Sequence, residues 1–307
     1  MRGVRAALFL ALLGVAAGLG ESQDPNVALA PPSVAHRKLF QGRGQPPVPD
    51  DVVIPPANCT RPTQFSFMVS LRNDAGEHTC GGALINEGGN SPESRWVVTT
   101  AHCVDELAKP GALLLPDVDI SGRRRDQAIE RIPTEQTFLH PKWKSDRTRG
   151  NDIALLKLSN TSCYKFPLNI AEKNFTVPGN ESVSFVAFGR EGADAGFADQ
   201  QQAGMFNIIP RKTCKQDYVQ EGTKLKKSMI CSRGNVNVAV CAGDEGSPIF
   251  WSPPKTTPEG RDPFAKRLVG IASFTDVDDC QSPDGTAFFT SISSFNKWIK
   301  KTIKKNS

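Results

Sequence analysis

From Phe65 onward the chain repeats one pattern, in which four to eight apolar residues, many β-branched or aromatic, are closed off by Gly, Asn, Asp or Pro. The clearest runs are 67–71, 96–100, 153–158, 183–188 and 268–274. Runs of that length and chemistry predict buried strands. Many of them at short spacing predict an all-β barrel or sandwich. The last run differs. Between Ser293 and Lys304, Phe295, Trp298, Ile299 and Ile303 recur near helical spacing, with Lys297, Lys300, Lys301, Lys304 and Lys305 around them. This predicts a C-terminal amphipathic helix with lysines at the negative end of its dipole. A lysine face can meet an acidic partner, but more often it is simply solvated.

Two N-terminal stretches fit neither pattern. Arg2 and Arg5 precede an apolar run over 6–17, and small residues follow at 18–20. The run is short of the ~20 residues a membrane span needs, so residues 1–20 are expected to be a cleaved secretory signal. No later stretch is apolar enough for a transmembrane span. Residues 21–51 are rich in Pro, Gly and Gln, as in Pro31-Pro32 and Pro46-Pro47. They predict a flexible pro-segment or linker that buries no core, leaving 52–307 as the folded body.

With 38% hydrophobic residues among 307, the chain has material for a core, which excludes wholesale disorder. A net charge of +5, without a long basic block in mid-chain, argues against a dedicated nucleic-acid binder. All eight cysteines lie beyond the leader, at Cys59, Cys80, Cys103, Cys163, Cys214, Cys231, Cys241 and Cys280. An even set behind a secretion signal implies disulfides, although the sequence itself does not choose among the pairings. No Cys-x-x-Cys or His-x-x-x-His spacing suggests a metal site, and nothing suggests a cofactor. Sequons at Asn58, Asn160, Asn174 and Asn180 are candidate glycan sites in the oxidising compartment.

The chemistry lies in four short segments. Cys80-Gly81-Gly82-Ala83-Leu84-Ile85 comes first, and Thr100-Ala101-His102-Cys103 follows a predicted strand. Asn151-Asp152-Ile153-Ala154-Leu155-Leu156 opens another strand. Cys241-Ala242-Gly243-Asp244-Glu245-Gly246-Ser247-Pro248 lies near the end. In that order and spacing the chain resembles the chymotrypsin/trypsin-like serine protease family, over roughly residues 52–303. The resemblance implies two six-stranded antiparallel β-barrels with a C-terminal α-helix. It makes His102 the general base, Asp152 its orienting carboxylate, and the backbone N–H groups of Gly243 and Glu245 the oxyanion hole.

The same resemblance exposes departures. The family motif Gly-Asp-Ser-Gly-Gly-Pro appears here as Gly243-Asp244-Glu245-Gly246-Ser247-Pro248, so Glu245 stands at the nucleophile position. A carboxylate that attacked a peptide carbonyl would itself be the better leaving group, and the adduct would collapse backwards. Glu245 is expected to pair with His102 instead and to raise the imidazole pKa. Ser247 is the alternative nucleophile, but two peptide steps displace it by roughly 5–7 Å, against a catalytic tolerance of ~0.5 Å. The activation start falls near Val52-Val53-Ile54-Pro55, preceded by Asp50-Asp51, with prolines in the glycine places. An Asp244–His78 pair like that of an inactive zymogen is therefore expected.

Ala239 puts no carboxylate at the floor of the specificity pocket, and Ser273-Phe274-Thr275 replaces a Ser-Trp-Gly strand, with Thr275 adding bulk at the mouth. By resemblance the disulfides are Cys80–Cys103, Cys214–Cys231 and Cys241–Cys280. Cys59 and Cys163 are left to pair with each other, or to stay free or pair between molecules. Two functional readings follow. One is a secreted, glycosylated serine protease homologue without peptidase activity that binds an extracellular protein or glycan. The other is an active serine endopeptidase using His102, Asp152 and Ser247. No oligomer is implied.

Overall fold

The structure, a computed structural model, describes residues 65–86, 94–107, 113–116, 129–162, 167–178, 181–190, 196–217, 224–235, 238–262, 264–276 and 285–307. The leader, the 21–51 segment, Cys59, Cys163, Cys280, Asn58 and Asn180 lie outside them. The predicted strands form where the apolar runs are. β1 is Met68–Arg72, β2 His78–Ile85, β3 Trp96–Thr99, β4 Leu113–Pro116, β5 Ile129–Ile132, β6 Thr134–Leu139 and β7 Ala154–Leu158. These make one antiparallel sheet in the order β5-β4-β1-β2-β3-β7-β6.

The two ends of that order, β5 and β6, are neighbours in the chain, separated only by Pro133. Proline lacks the N–H that a continuous ladder needs, so the chain bends there. One half pairs with β4 and the other with β7. Counted as one bent strand, they join the ends of the sheet and account for six strands where seven are named.

The second sheet contains β8 (Asn169–Ile170), β9 (Val183–Ala187), β10 (Gln202–Ile208), β11 (Met229–Gly234), β12 (Pro248–Trp251), β13 (Arg267–Thr275) and β14 (Ala287–Ser291). It runs β12-β9-β10-β11-β14-β13-β8, and a further β12–β13 pairing closes six of these strands into an antiparallel barrel. β8 lies outside the ring, parallel to β13. Inside it, Phe185, Phe206 and Phe289 meet edge to face with centroids 5.2–5.9 Å apart. That geometry adds to their area burial.

Among the described residues three α-helices flank the sheets: α1 (Ala101–Glu106), α2 (Arg211–Asp217) and α3 (Ile292–Asn306). Helix α3 starts at Ser291, whose hydroxyl caps the Ser294 N–H. It buries Ile292, Phe295, Ile299 and Ile303, as the apolar spacing predicts, while its five lysines are exposed. No helix among the described residues is long and apolar enough to cross a membrane.

Candidate active site

The site is assembled from three turns where the two sheets meet. In the first, β3 runs into α1 and places His102 in its opening turn, almost fully buried. The Cys80–Cys103 disulfide ties that turn back to β2. In the second, Gly150 (φ 72°) and Asn151 (φ 60°) turn the chain sharply and deliver Asp152, with no exposed surface, just before β7. Its Oδ1 accepts the His102 backbone N–H at 3.0 Å, and its Oδ2 accepts His102 Nδ1–H at 2.8 Å and the Ser273 hydroxyl at 2.5 Å. The Thr290 hydroxyl donates to the Asp152 carbonyl at 2.9 Å. A proton on Nδ1 leaves Nε2 as the free lone pair of the imidazole, the tautomer a general base requires.

The third turn is 241–247. Its carbonyls and amides bind both sheets: Gly246 N–H donates to Ala272 O at 2.8 Å, and Gly81 N–H donates to Glu245 O at 2.7 Å. Gly243 (φ 87°) and Gly246 (φ 80°) supply the left-handed backbone this path demands. A Cβ on Gly246 would lie 2.2 Å from the Gly81 carbonyl oxygen. The Asp244 carboxylate is buried and accepts the N–H groups of Gly189 and Cys241, each at 2.7 Å.

Glu245 turns its carboxylate back on its own loop. Oε2 accepts the Gly243 N–H at 2.7 Å, its own backbone N–H contributes as well, and Oε1 lies 3.8 Å from Arg147 Nη1. The loop amides hold the carboxylate directly, and it lies close enough to His102 for the two groups to interact electrostatically, as an anion beside the imidazole would. Burial raises the Glu245 pKa, opposed by those N–H groups and by His102, while the Asp244 charge adds to the rise.

His78 also differs from expectation. Its Nε2 lies 2.9 Å from the Gly243 carbonyl and its Nδ1 2.7 Å from Ser70 Oγ. A carbonyl can only accept, so Nε2 carries the proton and Nδ1 accepts from Ser70. Burial, with a smaller effect of the Arg72 charge, depresses the ring's pKa to about 4, against the Gly243 bond that favours the charged form. A neutral ring with both nitrogens engaged has no charge to offer Asp244. The zymogen-like pair is thus replaced by a His78–Gly243 bond one residue away.

Ser247 is completely buried, and its Oγ has no hydrogen-bond partner among the described residues. It packs onto β2 so closely that a Cβ on Gly81 would lie 2.0 Å from it. Ala239 is half-buried, and Thr275 is half-buried at the end of β13. Ser273, expected in the pocket, serves Asp152. Phe274 stacks on Phe288 with centroids 4.7 Å apart. Cys214–Cys231 is bonded, Cys241 is buried, and Asn160 and Asn174 are exposed. Cys80, His102 and Cys103 form the one described cluster with metal-ligand atoms in reach, but both sulfurs are spent on the disulfide.

Ser70, Arg147 and Thr290 belong to the site and carry no local motif. Only the pairing of distant segments brings them in.

Two β-barrel sheets with a buried His–Asp pair and a glycine-shaped amide cradle at their junction define a trypsin-type scaffold. The Trypsin family model matches residues 57–299, and the chain belongs to that family. It is 29% identical over 254 residues to proproteinase E of Bos taurus, covering 80% of this chain and 92% of that protein. It is 27% identical over 249 residues to chymotrypsin-like elastase family member 3B of Homo sapiens, covering 79% and 86%. Against chymotrypsin-like elastase family member 1 of Macaca fascicularis the figure is 26% over 249 residues, covering 80% and 86%.

Proposed function

We propose that this chain is a secreted, glycosylated trypsin-family protein that binds an extracellular protein or glycan and does not cleave peptide bonds. The observation that supports it is the Glu245 carboxylate seated on the Gly243 N–H and its own N–H. In the family's chemistry those two groups stabilise the oxyanion, so a substrate carbonyl finds them engaged and meets a carboxylate where it needs a hydroxyl. His102 and Asp152 keep a base's geometry with nothing to deprotonate. The endopeptidase reading needs the Ser247 hydroxyl at a substrate, and that hydroxyl is buried against Gly81.

The test is direct. Purified secreted protein, offered a panel of chromogenic peptides and a fluorophosphonate probe, is expected to show neither turnover nor labelling. Turnover by the wild-type chain that His102→Ala abolishes would overturn the proposal, because a contaminating protease would not respond to that substitution. Glu245→Ser alone is expected to fall short of full activity, because Ala239, Thr275 and the Pro55-Pro56 start are altered as well.

A further inference from the structure

Positive charge is concentrated beside Glu245. Segments 142–149, 211–217 and 224–227 carry ten Lys and Arg against two acids, Asp146 and Asp217, although the whole chain is only +5. Outside these segments the chain is therefore net negative. The segments also touch. Arg147 lies 3.8 Å from Glu245. Gly150, just past the first segment, faces the third: a Cβ there would lie 3.1 Å from Ser228 Oγ and 3.2 Å from Lys226 Cγ. Arg211, which opens α2, donates to the carbonyls of Leu225 at 2.7 Å and Lys226 at 2.9 Å. The result is one basic ridge leading away from the Glu245 carboxylate.

Little of that charge is neutralised. Asp146 pairs with Arg149 at 3.3 Å, and Glu245 with Arg147. Lys142, Lys144, Lys212, Lys215, Lys224 and Lys227 are exposed, and none has a carboxylate partner among the described residues.

We propose that this ridge is a binding site for a sulfated linear polysaccharide. This rests on the binding reading above and gives it a ligand class. Lysine predominates over arginine on the ridge. An ammonium is a compact, hydrated point charge on a flexible stem, so each lysine can meet a separate sulfate group by charge alone. The charges lie along an open surface, so affinity would come from counterion release along a polyanion and capture from long-range attraction. Outside the cell, where a cleaved leader at residues 1–20 would deliver this chain, sulfated glycans are the characteristic linear polyanions.

The test is fluorescence anisotropy of a labelled, fully sulfated heparin-type hexasaccharide against the full secreted chain, as a function of NaCl. The Lys144→Ala/Lys215→Ala/Lys227→Ala triple variant is expected to bind about 30-fold or more weaker at low salt. Its log–log salt slope should fall by about two, given ~0.7–0.9 per lost charge contact. The matching Lys→Arg triple variant should bind like wild type, which separates charge from folding. Unchanged binding by the alanine triple overturns the proposal. So does a loss that appears instead in Lys297→Ala/Lys301→Ala/Lys305→Ala on α3. Polyglutamate or single-stranded DNA binding more tightly than the hexasaccharide overturns the ligand class. Peptide turnover by a chain that still binds the hexasaccharide through these lysines sinks only the non-proteolytic reading and leaves this site standing.

Discussion

Replacing Ser247 by alanine separates the two functional readings and also tests the packing of the site. The hydroxyl is fully buried and, among the described residues, without a hydrogen-bond partner. A buried donor left unsatisfied costs ~1–3 kcal/mol, and replacing it by an apolar group recovers most of that. Less the dispersion lost with one oxygen atom, Ser247→Ala should stabilise the chain by about 1–2 kcal/mol. For a body of this size each kcal/mol moves Tm by ~2–4 °C, so calorimetry should record a rise of roughly 2–8 °C.

Gly81 supplies the control. Gly81→Ala places a Cβ 2.0 Å from Ser247 Oγ. Removing that oxygen should soften the damage, giving a coupling of ~1–3 kcal/mol in a double-mutant cycle. Fluorophosphonate labelling should be absent in every variant. A lower Tm for Ser247→Ala would mean that the hydroxyl makes a stabilising contact. A labelling signal lost with that hydroxyl would make Ser247 a nucleophile. Either result refutes this account of the residue.

Three further outcomes follow from the loop and its neighbours. His78 titrates near 4 in the fold against 6.5 when exposed, so the unfolded chain binds more protons between those values. Stability is then complete above pH 6.5 and declines by about 3 kcal/mol as pH falls to 4. Urea melts across that range should show the decline in wild type and flatten in His78→Gln. Glu245 acts with the opposite sign: its folded pKa is raised above 4.5, so its ionisation costs stability as pH rises. Glu245→Gln keeps an oxygen for the Gly243 N–H, and its stability relative to wild type should climb with pH above 4.5. A relative stability that drops instead would contradict the burial argument. Gly246→Ala, at φ 80° with a backbone oxygen 2.2 Å from the new Cβ, should cost about 3 kcal/mol or more. A loss under about 1 kcal/mol would mean that the loop relaxes freely.

The elements most legible in the sequence are those whose residues answer to one burial rule. Trp96–Thr99, Ala154–Leu158 and Val183–Ala187 are buried runs between turn residues, and α3 shows helical spacing because one face alone is buried. Thr134–Leu139 is hidden because most of its side chains are exposed, so no apolar run marks it. What identifies it is a partner strand and the bend at Pro133. The site divides the same way. His102 and Asp152 sit in local motifs, whereas the Ser273–Asp152 bond joins residues 121 apart in the chain, which no local pattern records. The orientation of Glu245 is hidden for a different reason. Sequence places its Cα, but a rotamer and two positive-φ glycines decide where the carboxylate goes.

Those glycines also explain how the site keeps its shape with an acid in it. The N–H groups of an oxyanion hole are aimed by backbone torsions, and Gly243 and Gly246 set those torsions whatever side chain lies between them. The donors attract any oxygen carrying negative charge, whether it develops on a substrate carbonyl or resides permanently on a carboxylate. Glu245 satisfies them without help from a substrate, and Arg147 gives its second oxygen a cation. The His78 bond to the Gly243 carbonyl holds the same residue through the peptide that follows it. Held on both sides of Gly243 by groups within the chain, the cradle has its hydrogen bonds made without a ligand, and preorganisation of that kind lowers the cost of binding.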